Sequence, residues 1–164
     1  MTIPPNIPID EVPLPGLLEM ASEALFAEFR EDLVESGYGD IRPTHGCVFR
    51  FVRDDGMRLT ELAGLAGMTK QSVGELVDDL VDLGYVERIP DPEDRRAKLI
   101  CLTDRGIEAQ RVAFGLLADV EDRWAERFGA TRMKQLRKLL EEAVSEDAPG
   151  AAPELRERRL ASVS

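Results

Sequence analysis

Around Gly84 the apolar period of the chain changes from helical to alternating, and this switch limits the possible folds more than any bulk property. Before it, Val73, Leu76, Val77 and Leu80 recur at spacings of three and four, which places them on one helix face. After it, Tyr85-Val-Glu-Arg-Ile89 alternates and is rich in β-formers, Pro90-Asp-Pro92-Glu-Asp is turn chemistry, and Leu99-Ile-Cys-Leu102 reads as a returning strand. The segment is therefore a helix leading into a hairpin with a charged tip.

The elements upstream complete the pattern. Thr69 is predicted to cap the helix that ends at Leu83 and Gly84, while Gly67-Met68 makes a turn of the length that joins two short helices. Thr60 is predicted to cap the preceding helix, Glu61 to Ala66, and Met57 to Leu59 to form one brief strand. A further helix opens at Pro43-Thr44, carries Val48, Phe49 and Val52, and stops at Asp54-Asp55-Gly56. Helix, turn, helix, strand, basic tip and strand in this order define a winged helix-turn-helix. Long helices flank it. One runs from about Leu17 to Glu35, with Leu18, Ala21, Leu25 and Phe29 on one face, and a second follows Thr103, marked by Ala113, Leu116, Leu117, Val120, Trp124 and Phe128. Gly129 stops the second, and Thr131 is predicted to start a last helix with Met133, Leu136, Leu140 and Val144. The fold class is thus mainly α with a small β-hairpin wing.

Composition excludes several functions. The 164 residues carry a formal net charge of −11, and a negative field of that size opposes general binding to polyanions. Recognition of a nucleic acid must come from a local basic patch. Cys47 and Cys101 are far apart and form neither a disulfide framework nor a zinc cluster, which suits a cytoplasmic protein. The proline-rich start has no basic region of an export signal, and no apolar run approaches the roughly 18 residues of a membrane span. His45 is the only histidine, and no nucleophile, phosphate-binding glycine loop or metal-ligand spacing accompanies the carboxylates, so neither an enzyme nor a cofactor or metal site is expected.

Two places carry chemistry suited to DNA. At the start of the Lys70 helix the unpaired backbone N–H groups and the positive dipole end favour phosphate, and Lys70, Gln71 and Ser72, after Thr69, reach phosphates or base edges. Its later turns carry Asp78, Asp79 and Asp82, which phosphate repels, so insertion is expected end-on. The second place is the hairpin tip, where Arg95, Arg96 and Lys98 make a compact probe for phosphate or a narrow minor groove. Asp91 and Asp94 sit beside them, so an Asp–Arg pair within the wing is expected to stiffen the tip.

The run from Arg58 to Leu80 (RLTELAGLAGMTKQSVGELVDDL), then Leu83 to Arg88 (LGYVER) and Asp91 to Gly106 (DPEDRRAKLICLTDRG), resembles the multiple antibiotic resistance regulator (MarR) family of winged-helix transcription regulators. The resemblance gives Lys70, Gln71 and Ser72 the recognition-helix role, and Arg96 with Asp94 the place of the wing arginine and its acidic neighbour. It implies a homodimer made by the first and last helices, a partly palindromic double-stranded DNA operator, repression, and release by a small, often aromatic or apolar ligand. The organisation expected is a proline-rich arm over residues 1–16, a family-like unit over 17–146 and a tail over 147–164. Within the unit, the winged helix-turn-helix covers 42–106 and the dimerisation helices 17–36 and 104–146. From Arg58 to Lys98 six basic residues face nine acidic ones, an imbalance that weakens attraction to DNA.

His45, Phe49 and Phe114 are candidate walls of an apolar pocket where the second helix meets the long one. Cys47 and Cys101 read as buried, inert thiols. The net charge and the acidic recognition helix leave two other functions open: a winged-helix module for protein–protein interaction, and a small-molecule-binding protein without DNA activity.

Overall fold

The computed structural model describes residues 7–94 and 96–145. After a single 3-10 turn at Ile9–Glu11, helix α1 spans Leu14–Glu35. It starts three residues before the expected Leu17, because Pro13 supplies the extended cap residue and Pro15 falls in the first turn, where its missing N–H costs nothing. A 3-10 turn at Pro43–His45 feeds α2, Gly46–Phe51, and α3 and α4 occupy Leu59–Ala66 and Lys70–Asp82. Strands β1 (Met57–Arg58), β2 (Val86–Pro90) and β3 (Lys98–Leu102) form an antiparallel sheet in the order β1-β3-β2. The chain ends its described part with α5, Asp104–Phe128, and α6, Ala130–Ala143.

The caps at Thr69 and Thr103 form as the sequence indicates: their hydroxyls accept from the N–H groups of Ser72 and Gly106. Two others do not. Thr60 lies inside the first turn of α3, whose cap is the extended Arg58 at the end of β1, so strand passes into helix with no intervening residue. Thr131 likewise lies inside α6, which begins one residue earlier because Gly129, at φ 98°, ends α5 and starts α6. Of the expected arm, residues 14–16 belong to α1 and residues 1–6 lie outside the described residues, as does the whole expected tail, residues 147–164.

The core gathers where α2, α3, α4 and β2 meet, and Val48, Leu62, Val73, Val77, Leu80 and Tyr85 are fully buried there. Burying a residue of this kind contributes about 1.5–3 kcal/mol, which fixes α4 by its apolar face and turns the opposite face outward. Gly67, at φ 62°, makes the left-handed turn that lets α3 reverse into α4. Gly106 allows α5 to approach the sheet: a Cβ there would lie 2.0 Å from the Tyr85 carbonyl oxygen. Above this unit α5 packs against α1, with the Arg123 guanidinium 2.7 Å from Asp32 and the Trp124 indole N–H donating to Glu28 at 3.0 Å.

Candidate nucleic-acid interface

The first turn of α4 is open. Thr69 Oγ1 takes the Ser72 N–H at 3.1 Å and lies 2.8 Å from the Ser72 hydroxyl, which fixes Ser72 within the cap. The N–H groups of Lys70 and Gln71 have no hydrogen-bond partner among the described residues, and both side chains are exposed. An anion meeting this end finds two free donors, the positive end of the helix dipole and the Lys70 ammonium group.

The acidic residues further along α4 are less repulsive than their number suggests. Arg88 of β2 pairs with Asp78 at 2.5 Å, and Arg42, ahead of α2, pairs with Asp79. Each aspartate is thereby joined to a guanidinium that lies far from it in sequence. Glu75 differs, since its hydrogen-bond partner among the described residues is the Gln71 amide, at 3.2 Å.

Residues 91–97 form the tip of the wing, and backbone bonds order its described part. The Asp91 N–H donates to the Ala97 carbonyl, the Ala97 N–H to the Asp94 carbonyl, and the Arg96 N–H to Asp94 Oδ1 at 3.0 Å. Arg96 and Lys98 are exposed, whereas Arg95 lies outside the described residues. Among the described residues Asp91 pairs with Arg58 and not with Arg96. Its side chain turns inward, 5% exposed, and Arg58 of β1 holds it at 2.6 Å. The reason is strand order: β1 lies beside β3, so Arg58 reaches the base of the hairpin. The Glu93 N–H and the Arg58 guanidinium together hold the Asp91 carboxyl below the usual carboxylate range.

A second feature is a cavity of about 570 Å³ between α1, α2 and α5, with Phe26, Phe29, Phe49 and Phe114 in its walls and Arg30, Arg42 and Arg50 also lining it. Of the three candidate wall residues, Phe49 and Phe114 line this space and His45 does not. His45 is fully buried toward α4: its Nδ1 accepts the Arg42 N–H at 3.1 Å, and its Nε2 lies 3.8 Å from Asp79. Burial and the adjoining Arg42 guanidinium lower its pKa, with Asp79 acting in the opposite direction. Cys47 and Cys101 are half-buried rather than buried as expected; burial pushes both thiols up, and the Glu87 and Asp55 carboxylates add to the rise at Cys101. Sequence reading missed the group in which the Tyr85 hydroxyl donates to Asp40 at 2.7 Å while Arg105 donates to the Tyr85 oxygen at 3.0 Å. No local pattern joins residues this far apart.

Helix, turn, helix and three-stranded hairpin sheet give this chain a winged helix-turn-helix fold. Residues 40–97 match the family model described as MarR family. The HTH-type transcriptional regulator PetP of Rhodobacter capsulatus is 31% identical over 109 residues, an alignment covering 58% of this chain and 64% of PetP. The chain thus spans just under two thirds of that relative. Among solved structures, the reduced form of MarR from E. coli superposes with a TM-score of 0.71 at 24% identity, covering 82% of this chain and 98% of MarR. CouR from Rhodococcus jostii RHA1, solved bound to p-coumaroyl-CoA, superposes with a TM-score of 0.61 at 25% identity, over 81% of this chain and 92% of CouR. The chain is thus similar to MarR-family regulators over its winged helix-turn-helix.

Proposed function

We propose that this protein is a cytoplasmic, homodimeric transcription regulator that acts by binding double-stranded DNA rather than by catalysis, and that it represses. The observation that carries the reading is the open, Thr69-capped first turn of α4 on the same sheet-and-helix unit as the exposed Arg96 and Lys98 of the wing. Lys70, Gln71 and Ser72 enter the major groove, and Arg95, Arg96 and Lys98 touch backbone or minor groove. The pairing of Asp78 and Asp79 with arginines supports this reading, because it reduces the repulsion that the residue count implies.

Dimerisation is supported by apolar surface that the monomer leaves uncovered. α6 has no buried residue, and its Leu136, Leu139 and Leu140 are exposed, as are Leu14, Leu17 and Leu18 of α1. Two-fold pairing through these helices presents two α4 helices to a partly palindromic operator, with half-sites about 34 Å apart. The aromatic walls of the cavity, and the aromatic p-coumaroyl group of the ligand in CouR, support an effector with an aromatic or apolar part, which releases DNA if it prefers one spacing of the two α4 helices. The test is selection of bound fragments from genomic DNA, followed by titration of the enriched duplex. Enrichment of a two-fold related sequence supports the reading. Binding that is absent, or indifferent to sequence, moves the protein-interaction function ahead.

A further inference from the structure

The cavity between α1, α2 and α5 is basic in an acidic chain. The net charge is −11, yet Arg30, Arg42 and Arg50 line this space and no aspartate or glutamate among the described residues does. Arg30 and Arg50 meet no carboxylate among the described residues. All three arginines are exposed, whereas Leu33 and Phe49 are buried, so the charge stands at the mouth and the apolar walls lie deeper. An occupant that suits both parts has an aromatic body directed inward and an anionic group directed outward.

Arg42 belongs to two places at once. It lines the cavity, and its guanidinium pairs with Asp79 of α4. The two side chains are 58% and 48% exposed, and a pair this open to water is weak, worth a factor of about two to five. The Arg42 backbone is held separately, its N–H donating to His45 Nδ1 at 3.1 Å, so the guanidinium can swing while the turn ahead of α2 stays in place. Asp78 keeps its own partner, Arg88, in either arrangement. Asp79 has no second lysine or arginine partner among the described residues, so without Arg42 it is a bare carboxylate on α4.

We propose that Arg42 is an exchange residue: it pairs with Asp79 while the cavity is empty and with the anionic group of an aromatic effector when the cavity is filled. The exchange returns a negative charge to α4 and weakens DNA binding. This rests on the readings that the cavity takes an aromatic effector and that α4 meets DNA.

The probes are cinnamate and its uncharged counterpart cinnamamide. Each is titrated by calorimetry into the full chain as wild type, Asp79→Asn and Arg42→Gln, and then added to each protein on the duplex enriched by selection. The wild type is expected to bind cinnamate about tenfold more tightly than cinnamamide, and cinnamate is expected to weaken duplex binding about fivefold. Asp79→Asn removes the competitor for Arg42, so it is expected to bind cinnamate about two to five times more tightly than the wild type and to lose the duplex response. Arg42→Gln is expected to bind cinnamate more weakly and, without any probe, to hold the duplex as weakly as the cinnamate-saturated wild type.

If Arg42 only fills space, Asp79→Asn has the wild-type affinity for cinnamate. That result, or a duplex response that persists in Asp79→Asn, overturns the proposal. Equal binding of cinnamate and cinnamamide also overturns it while leaving an uncharged aromatic effector in place, and binding of neither overturns the effector reading as well. A wild type that binds no duplex overturns the DNA-binding reading, and Asp79→Asn then still decides the exchange by its cinnamate affinity in the absence of DNA.

Discussion

Arg58 and Asp91 join the start of the helix-turn-helix to the base of the wing, with Arg58 Nε and Nη2 at 2.7 and 2.6 Å from one carboxylate oxygen. The other oxygen accepts the Glu93 N–H at 2.8 Å, so one side chain fixes both where the hairpin starts and how its tip turns. Arg58 caps α3, and through it the wing is held in a set relation to α4. Arg58→Ala is therefore expected to weaken binding to all duplexes by on the order of tenfold, a coupling of ordinary size. Its fold is expected to stay intact by circular dichroism. Unchanged affinity would show that the wing keeps its position without the tie.

His45 gives a stability that depends on pH. Its pKa is lowered in the folded chain by burial and by Arg42, so below the ordinary histidine value of about 6.5 the unfolded chain binds the proton more readily. Stability is complete above that pH and declines as pH falls through it toward the folded value. Urea midpoints measured between pH 7.5 and 5.5 are expected to fall, and His45→Gln is expected to flatten the profile in this window. A profile equally steep in the variant would assign the effect to other groups.

The uncovered leucines of α6 give a test of assembly. Leu139 is 64% exposed in the single chain, so Leu139→Glu is expected to leave the monomer folded and raise the dimer dissociation constant by about tenfold or more. Sedimentation of both proteins across micromolar concentrations checks this. A wild type that is monomeric throughout would remove the basis for paired recognition helices.

Gly106→Ala tests the approach of α5 to the sheet. The added methyl group meets the Tyr85 carbonyl oxygen, which is backbone and cannot rotate aside, so α5 has to shift. A loss of about 1–3 kcal/mol is expected in chemical denaturation. A neutral substitution would show that α5 adjusts freely.

What the sequence made legible was local. The change of period at Gly84 located α4 and the hairpin, and Thr69 and Thr103 marked helix starts because each precedes a helical run directly. Thr60 and Thr131 offered the same signal and were overridden by their neighbours, an extended Arg58 finishing a strand in one case and a positive-φ Gly129 between two helices in the other. Pairings set by topology were not visible. Asp91 has arginines nearby in sequence, yet its ion-pair partner among the described residues is Arg58, 33 positions upstream, because β1 pairs with β3. The turn ahead of α2 directs His45 toward Asp79 and leaves Phe49 facing the cavity, a distinction that helical spacing alone does not make.

The central claim is that α4 and the wing form one DNA interface with two kinds of contact. The most direct measurement is affinity for the selected duplex and a scrambled duplex across several salt concentrations, for the wild type, Arg96→Ala and Gln71→Ala. Arg96→Ala is expected to weaken both duplexes by the same factor and to lower the salt slope by about one, because it removes a charge that meets phosphate. Gln71→Ala is expected to keep the slope and weaken the selected duplex alone. If both variants match the wild type in affinity and slope on a duplex that the wild type binds, the interface lies elsewhere and the account is wrong.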